Sequence, residues 1–336
     1  MPFAAATPDN PDSVLGLFLS FWISRTVMAA VEMEVFDVLS GDGLPEADAA
    51  AELGLASRPA RGLFDTCVSV GLLERSDERI RTTAAAERYL TSGSEYSLRN
   101  YVLDERWCWG GWGRLVEALR SDAPTLEQDE DGYHTFPADF FLDFLHGHSL
   151  AMGDRLAAAV PLGGVGKIMD VGGGSGAVSI ALARANPTLH AVVIDQAPVL
   201  EKTREHIEEA GLSPRIDTHP ANVFGDPLPE GCDAAVIANF LHDFSPERAA
   251  TILGRVAEAL PSGGRLIVME IAPEDDRSGP PLPAVFTVTM IVNTEGGIAY
   301  TRAELREMIE AAGFAFEREH RLGDRYVTTA IEARKR

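Results

Sequence analysis

The sequence predicts an α/β protein in which a doubly wound parallel sheet follows a helical N-terminal region. From Val165 onward, apolar segments of strand length alternate with segments of helical periodicity. Strands that are apolar throughout are typical of parallel sheets covered on both faces. We expect strands at 167–171, 191–195, 234–238 and 265–271, and intervening helices at 177–184, 199–210 and 246–260. A last helix at 302–313 and an edge strand at 326–333 complete this C-terminal domain, residues 161–336.

The N-terminal domain, residues 1–95, has the pattern of a winged helix. Two short helices are expected at 45–53 and 57–70, with Ser57 as the N-cap of the second. A hairpin with its turn near Asp77 follows them. A winged helix can bind DNA or form a dimer, and the formal net charge of −22 disfavours DNA because an acidic surface repels phosphates. We therefore assign this domain to dimerisation.

The helix that begins at Pro11 supports that assignment. It carries apolar residues on more than one face, so most of its surface needs cover: Val14, Leu15, Phe18, Leu19, Trp22, Ile23 and Val27. A second copy of the chain would supply that cover, which predicts a homodimer through the N-terminal domain. The longest apolar stretch, 14–23, is too short to span a membrane, and the acidic charge disfavours anionic lipid surfaces. We expect neither membrane nor nucleic acid as a partner.

The cysteines and histidines give no sign of a disulfide or a metal. Cys67, Cys108 and Cys232 are scattered, and no basic segment precedes an apolar run at the N-terminus. This pattern predicts a reduced, cytoplasmic protein. His146 and His148 have no accompanying acidic residues at ligand spacing, so no metal site is expected.

The strongest sign of a ligand site is the segment 168–176, in which a predicted strand ends in a glycine-rich turn before a helix. Glycines let the backbone approach a ligand closely and aim a helix N-terminus at it. A dinucleotide site is the alternative, but Asp170 precedes the glycines, where an acid would meet an ammonium group and repel a pyrophosphate. Asp195 ends the next strand, where an acid accepts hydrogen bonds from two ribose hydroxyls. Together the two acids indicate an aminoacyl nucleoside.

A histidine follows the predicted strand 234–238. Ligands of open α/β sheets bind beyond the carboxyl ends of the strands, so His242, beside Asp243, could take a proton from a phenol or a similar nucleophile. Forming a phenolate at pH 7 costs about 4 kcal/mol, which a positioned base can supply. Glu270 ends the strand 265–271 and would hold the tautomer of the imidazole. The alternative for Glu270 is an ordinary solvated strand end.

These motifs resemble those of the small-molecule O-methyltransferases, typified by plant caffeic acid O-methyltransferase and by bacterial polyketide- and antibiotic-tailoring methyltransferases. The resemblance extends over nearly the whole chain and rests on DVGGGSG at 170–176, VVIDQAP at 192–198, LHDFSPERA at 241–249, GGRLIVMEI at 263–271 and NTEGG at 293–297. It implies a class I methyltransferase fold after a winged-helix dimerisation domain. It also implies S-adenosylmethionine as cofactor, S-adenosylhomocysteine as product, and His242 as general base with Glu270 and Asp243 as catalytic partners.

The resemblance also distributes residues between the two ligands. For the cofactor we expect Ser149, Asp170, Gly172, Gly174, Gly176, Asp195, Gln196, Asn222, Val223, Asn239 and Phe244. For a small aromatic substrate we expect Trp107, Phe141, Leu145, Met152, Met290 and Asn293. Several of the substrate residues fall in residues 96–160, a predicted helical connector whose aromatic residues suit either a core or the wall of a pocket.

Four positions depart from the family pattern. Asn222 replaces an aspartate and Phe244 replaces a tryptophan, yet an amide can still accept from the adenine amino group and a phenyl ring can still cover adenine. Ala238 replaces a lysine that often stands four residues before the base. Ala299 occupies the position of a second glutamate, which leaves His242 with one supporting carboxylate and makes room for a bulkier or differently charged acceptor.

The sequence thus predicts methyl transfer to an aromatic hydroxyl of a secondary metabolite. One alternative is methylation of a carbon on an activated ring with the same base. Another is a relative that binds the cofactor but catalyses hydroxylation, decarboxylation or cyclisation, which Ala299 weakly favours and His242 disfavours. A ligand-sensing DNA-binding protein is disfavoured by the negative charge.

Overall fold

The computed structural model describes residues 8–76, 78–126, 138–323 and 328–336. It describes the backbone but not the side chains of residues 104–107 and 138–144. The chain divides into two compact units, one up to Trp107 and one from Cys108 to Arg336. Each unit is described separately below.

The N-terminal unit begins with a long helix, α1 (Pro11–Glu32). The side chain of Asn10 accepts from the Ser13 amide and the Ser13 hydroxyl accepts from the Asn10 amide, so the helix start is capped reciprocally. The following elements are α2 (Val35–Val38), β1 (Leu44–Pro45), α3 (Glu46–Glu52), α4 (Ser57–Ser69), β2 (Leu73–Ser76), β3 (Arg79–Thr82) and α5 (Ala84–Leu90). The three strands form one sheet in the order β1-β3-β2.

This order of helices and hairpin confirms the predicted winged helix. The predicted N-cap at Ser57 is wrong, because Ser57 is the first residue of α4 and Ala56 takes the cap position with no side-chain hydrogen bond. Thr83 caps α5 instead, since its hydroxyl accepts from the amide of Ala86. The core of the unit is built from fully buried side chains that include Phe36, Phe64 and Ile80.

Helix α1 is longer than the apolar stretch expected from the sequence. It has 22 residues, because Gly16, Ser20 and Arg25 do not interrupt it. By length and composition alone it could cross a membrane, so the expectation of a stretch that is too short was wrong. Its exposed apolar residues, each between 40% and 68% accessible, are Val14, Leu15, Leu17, Phe18, Phe21, Trp22 and Ile23.

The C-terminal unit is built around a seven-stranded sheet in the order β6-β5-β4-β7-β8-β10-β9. Its strands are β4 (Lys167–Val171), β5 (His190–Asp195), β6 (Ile216–Pro220), β7 (Ala234–Ala238), β8 (Arg265–Ile271), β9 (Phe314–Arg321) and β10 (Thr328–Lys335). The four strands from β4 to β8 that the sequence predicts lie within one residue of their expected bounds. Strands β4 to β8 are mutually parallel, whereas β10 pairs antiparallel with both β8 and β9.

Two sheet predictions need correction. The strand predicted at 326–333 is not an edge strand, because β9 pairs along its outer side, and its antiparallel pairing makes the sheet mixed rather than wholly parallel. The sequence analysis missed β6 and β9, the true edges. Both edge strands carry polar residues, as in Phe-Ala-Phe-Glu-Arg-Glu-His-Arg of β9, and so lack the uninterrupted apolar pattern of the inner strands.

Helices of the C-terminal unit are α7 (Leu115–Ser121), α8 (Ala138–Ala159), α9 (Ala177–Ala185), α10 (Ala197–Glu209), α11 (Pro246–Ala259), α12 (Pro281–Asn293) and α13 (Arg302–Ala311), and α6 (Arg99–Gly113) precedes them. A Cβ at Gly153 of α8 would lie 2.7 Å from Cβ of Ala181 of α9, so these helices pack closely. The strand order reverses between β4 and β7. The carboxyl ends of these strands meet at the switch point where such sheets bind ligands.

Candidate active site

The glycine loop after β4 folds back over the end of β5. Gly172, Gly174 and Gly176 have left-handed φ values of 68°, 50° and 75°, which side chains rarely adopt. Asp195 fixes the loop, because its Oδ2 accepts from the Gly174 amide at 2.9 Å and its Oδ1 from the Gln196 amide at 2.8 Å. A Cβ at Gly172 would lie 2.4 Å from the ring of Phe240, so this glycine is also required for packing.

Asp170 lies beneath the loop with 1% of its surface exposed. Its Oδ2 accepts from the Ser179 hydroxyl at 2.7 Å, whereas its Oδ1 is buried and has no partner among the described residues. Burial, with a smaller contribution from the charge of Asp195, raises the pKa of the Asp170 carboxyl to about 6. The hydrogen bond from Ser179 acts in the opposite direction and lowers this pKa. A buried carboxylate oxygen is stable only with a donor, and a ligand ammonium group would be one. The site therefore fits the predicted aminoacyl nucleoside.

Aromatic side chains border the ends of β6 and β7. The ring of Phe244 meets those of Phe224 and Phe240 edge-on, with centroids 5.2 and 5.0 Å away. The guanidinium of Arg248 lies 4.3 Å from the centroid of Phe224. Asn222, two residues before Phe224, accepts from the Phe224 amide at 2.9 Å. The structure thus brings together the two positions that the sequence analysis placed at adenine, Asn222 and Phe244, through Phe224.

Further residues predicted at the cofactor lie around the same edge. Asn239 follows β7 with a left-handed φ of 50°, and its buried Oδ1 has no partner among the described residues. Val223 is buried and Ser149, on α8, is half-buried. Like Oδ1 of Asp170, Oδ1 of Asn239 is a buried oxygen at the sheet edge to which a donor group of a polar ligand could bind.

His242 occupies a short 3₁₀ helix, Leu241–Asp243, directly after β7. Its Nδ1 lies 2.6 Å from Oε2 of Glu270, which is 1% exposed at the end of β8. Oε1 of Glu270 accepts from the amides of Phe240 and Leu241 at 3.0 and 2.7 Å. Glu270 is therefore no solvated strand end, since both its oxygens hold the segment that carries the histidine.

The surroundings of His242 favour its charged form. Burial lowers the pKa of the imidazole, but the charges of Glu270 and Asp243 and the hydrogen bond to Glu270 raise it to about 9. Nε2 lies 3.5 Å from Oδ1 of Asp243, too far for a good hydrogen bond. When the ring is neutral with Nδ1–H donating to Glu270, the lone pair of Nε2 is free to take a proton.

The predicted acceptor residues are spread over three helices, α6, α8 and α12. Met290 is buried on α12 and Asn293 ends that helix, while Leu145 is half-buried on α8. Met152, also on α8, is 4% exposed, and its sulfur accepts from the Thr328 hydroxyl at 3.8 Å. The side chains of Trp107 and Phe141 lie outside the described residues.

The sequence analysis missed two residues of the site. Phe286 on α12 meets the ring of His242 edge-on at 4.7 Å. Tyr300 donates from its hydroxyl to the carbonyl of Phe244 at 2.5 Å. Phe286 had no distinguishing signal within an apolar helix, and Tyr300 lies outside every motif that was considered.

Histidines elsewhere have other surroundings. His146 stacks on His206, with centroids 3.9 Å apart, and burial together with His206 lowers the pKa of His146 to about 3. Nδ1 of His206 lies 3.3 Å from the carbonyl of Ser175 in the glycine loop. Within the described parts of the chain, no three histidine, cysteine or acidic side chains are grouped as metal ligands.

Comparison with known proteins agrees with both units. Residues 15–92 match the family profile of an O-methyltransferase dimerisation domain. Residues 133–315 match that of an O-methyltransferase domain. The first match includes most of α1, so this exposed apolar helix belongs to a domain type named for dimerisation.

Individual relatives align over almost the full chain. A 3-hydroxy-5-methyl-1-naphthoate 3-O-methyltransferase of Streptomyces sahachiroi is 38% identical over 90% of this chain and 89% of its own. An L-tyrosine C(3)-methyltransferase of Streptomyces lavendulae is 30% identical over 85% and 82%. The crystal structure of human N-acetylserotonin methyltransferase, in complex with S-adenosylmethionine, superposes with a TM-score of 0.87 at 26% identity, covering 99% of both chains. This chain therefore belongs to the O-methyltransferase family, with a dimerisation domain followed by a methyltransferase domain.

Proposed function

We propose that this protein transfers a methyl group from S-adenosylmethionine to a hydroxyl of an aromatic secondary metabolite, with His242 as general base. The observation that carries the proposal is the 2.6 Å contact between Nδ1 of His242 and Oε2 of buried Glu270. His242 follows β7 and Glu270 lies near the end of β8, at the same sheet edge as the glycine loop and Asp195. The streptomycete relative that acts on a hydroxynaphthoate supports an aromatic hydroxyl as acceptor.

The cofactor side is assigned from charge and hydrogen bonding. S-adenosylmethionine supplies a methyl group bonded to a sulfonium sulfur, which is a good leaving group. We assign Asp170, whose Oδ1 lacks a partner, to the amino group, and Asp195 to the ribose hydroxyls. Each Asp195 oxygen accepts one backbone amide and keeps a second lone pair for a hydroxyl.

The base acts through its two nitrogens. Nε2 of His242 takes the proton of the acceptor hydroxyl while Nδ1–H donates to Glu270, so positive charge on the ring is balanced by a buried carboxylate. Phe286 contacts the ring from α12, and His242 is 7% exposed, so little water reaches the base. What remains for the protein is to hold the acceptor hydroxyl beside the methyl group of the cofactor, because reactants held in position react faster than free ones.

We also propose that the protein acts as a cytoplasmic homodimer that pairs through the N-terminal unit. The exposed apolar residues of α1 include Phe21 and Trp22, which line a groove with Pro59 and Leu63 of α4. Such a surface is stable in water only when another apolar surface covers it. Cys67, Cys108 and Cys232 are buried and form no disulfide within the described residues, as suits a reducing compartment.

The test is to replace the base and measure turnover and cofactor affinity separately. With candidate phenols and methyl-labelled cofactor, His242→Ala should lower kcat by about 10²–10⁴-fold, the usual contribution of a positioned base. The affinity for S-adenosylhomocysteine should stay within about twofold, because the cofactor residues are untouched. His190→Ala is the matched control, since His190 is exposed at the amino end of β5, the opposite sheet edge.

Undiminished turnover by His242→Ala would contradict the role of His242. Proton and carbon NMR of the product distinguishes an O-methyl from a ring C-methyl group, because the two carbons resonate far apart. A C-methyl product would overturn the assignment of a hydroxyl acceptor.

A further inference from the structure

The turn that carries His242 is supported on two sides. On the side that enters the turn, Glu270 accepts the amides of Phe240 and Leu241. On the side that leaves it, the amide of Ile298 donates to the carbonyl of His242 at 2.9 Å. The hydroxyl of Tyr300 donates to the carbonyl of Phe244 at 2.5 Å. Residues 297–300, called the strap below, therefore contact the backbone of the turn at two points.

The strap lies so close to the turn that it leaves no room for a side chain at its start. A Cβ at Gly297 would lie 2.6 Å from the carbonyl oxygen of His242 and 2.1 Å from Oγ1 of Thr294. The Gly297 amide donates to the same Thr294 oxygen at 3.1 Å. Glycine at 297 is thus required by space, and the contact between strap and turn is tight.

The strap is also anchored at its far end. Thr301 and Glu304 form a reciprocal cap at the start of α13. Arg277 binds both carboxylate oxygens of Glu304 at 2.7 Å, and its Nη1 lies 3.5 Å from the carbonyl of Ala299. The strap therefore holds a defined position from which Tyr300 can fix the turn.

Tyr300 is suited to be a permanent donor. It is 3% exposed and packs in the same core cluster as Phe240, Leu241 and Phe244. Burial, then the nearby charges of Glu270, Glu247 and Glu304, raises the pKa of its hydroxyl well above the usual value for tyrosine. The hydroxyl therefore keeps its proton at any physiological pH and continues to donate to Phe244.

We propose that Tyr300 is a positioning residue for His242, acting through the carbonyl of Phe244 at the exit of the turn. The inference rests on the proposed role of His242 as base. The side chain of Ala299 cannot form a hydrogen bond, so the strap holds the turn by the backbone amide of Ile298 and the hydroxyl of Tyr300. Because Phe244 also contributes its ring to the aromatic group with Phe224, the same hydroxyl fixes the base and that wall relative to each other.

The expected effect follows from what the hydroxyl satisfies. Without it, the carbonyl of Phe244 loses the Tyr300 donor, and of the two contacts between strap and turn only that of the Ile298 amide remains, so the turn is held less firmly. A displacement of His242 weakens the contact of Nδ1 with Glu270, which is the contact that raises the pKa of the ring. A misplacement of about 1 Å can lower the rate of a positioned reaction about 10²-fold, so a smaller shift of His242 is expected to cost about tenfold.

The experiment is Tyr300→Phe in the full-length protein, which deletes a single oxygen. Measured above pH 9, where the ring of His242 is mostly neutral in both proteins, kcat should fall about tenfold, with the KM of the acceptor and the affinity for S-adenosylhomocysteine within about twofold of wild type. In protein labelled with ¹⁵N-histidine, the titration of His242, assigned by its absence in His242→Ala, should move from about 9 towards lower pH. Tyr89→Phe, which deletes the same atom from a half-exposed tyrosine of the N-terminal unit, is the matched control and should change neither quantity.

A second variant approaches the same contact from the other end of the strap. Gly297→Ala leaves the Tyr300 hydroxyl in place but pushes against the carbonyl of His242, so it should shift the same titration in the same direction. If Tyr300→Phe and Gly297→Ala keep both the wild-type kcat and the wild-type titration while His242→Ala is inactive, the positioning role is wrong and the base stands. If His242→Ala retains turnover, it is the proposed function that fails.

Discussion

The two units of the chain depart from ordinary burial in opposite ways. The N-terminal unit exposes large apolar side chains along α1, among them Phe18 at 68% and Trp22 at 58%. The C-terminal unit buries charged ones, with Asp170 and Glu270 at 1% and His242 at 7%. Apolar surface in water and charge in a protein interior are both unfavourable, so each departure marks a place where something compensates.

The compensation differs between the units. Glu270 and His242 satisfy each other and the backbone of the turn, so their burial is balanced within one chain. The exposed face of α1 has no cover within the described part of its own unit, and in the proposed homodimer a second molecule covers it. Asp170 lies between these cases, because one oxygen is paired with Ser179 and the other is left for a ligand. Three experiments test whether the buried charges of the C-terminal unit are balanced within the chain and whether the apolar face of α1 is covered by a second molecule.

The largest effect is expected from Glu270→Gln, which removes the buried carboxylate that balances the charge of His242. The new amide oxygen can still accept from Phe240 and Leu241, but its NH₂ then faces Nδ1 of His242 and leaves the proton on Nε2. With the wrong tautomer the base is lost, and kcat at pH 7 should fall about 10²–10⁴-fold. Steady-state kinetics with unchanged near-UV circular dichroism would establish this, and a loss below fivefold would show that Glu270 does not set the tautomer.

The next effect is the pH dependence of the wild-type enzyme. Burial lowers the pKa of His242, but the charges of Glu270 and Asp243 and the hydrogen bond to Glu270 raise it to about 9, and the base must be neutral to act. The neutral fraction at pH 7 is then about one hundredth, so kcat/KM for the cofactor should rise about tenfold per unit from pH 7 and level off near 9. In Glu270→Gln the remaining activity should level off at lower pH, because the carboxylate charge is gone. A wild-type profile that is flat from pH 6 to 9 would contradict the charged pair.

The smallest effect is expected in the N-terminal unit, from Phe18→Glu on α1. A carboxylate in the centre of the apolar face should weaken self-association by about 2 kcal/mol, or roughly thirtyfold. Sedimentation velocity at low micromolar concentration should then show a shift from dimer to monomer. Leu119→Glu on α7, which is 55% exposed in the C-terminal unit, is the control and should leave the dimer intact. Equal behaviour of the two variants would place the interface elsewhere.

The parts of the fold that the sequence predicts well are those in which one physical requirement dominates. Strands β4, β5, β7 and β8 are buried on both faces, so their apolar runs are unambiguous. The edge strands β6 and β9 are half solvated and carry charges, and their pattern competes with those of loops and helices. The order of β9 and β10 depends on which of them pairs with β8, and this long-range pairing is not encoded in any local pattern.

The same distinction applies to the site. His242 follows β7 and Glu270 is the next-to-last residue of the adjacent parallel strand β8, so strand topology alone predicts that they meet, and the structure brings them within 2.6 Å. Tyr300 reaches the turn through the path of the strap, a loop whose course is set by Gly297 and by the cap of α13. The contact of Tyr300 with Phe244 therefore depends on how the strap packs against the turn. The residue types alone do not reveal it, and the sequence analysis did not predict it.

Glu270 has an evolutionary consequence, because one carboxylate holds the backbone of the turn with one oxygen and the base with the other. Glutamine at 270 would keep the hydrogen bonds to the turn but set the wrong tautomer of His242, and a residue without a side-chain acceptor would also release the turn after β7. Phe286, by contrast, touches His242 only through ring contact and can be exchanged without breaking a hydrogen bond of the turn. Acceptor preference should therefore diversify on α12 while Glu270 stays fixed, and a library randomised at 286 should yield active variants far more often than one randomised at 270.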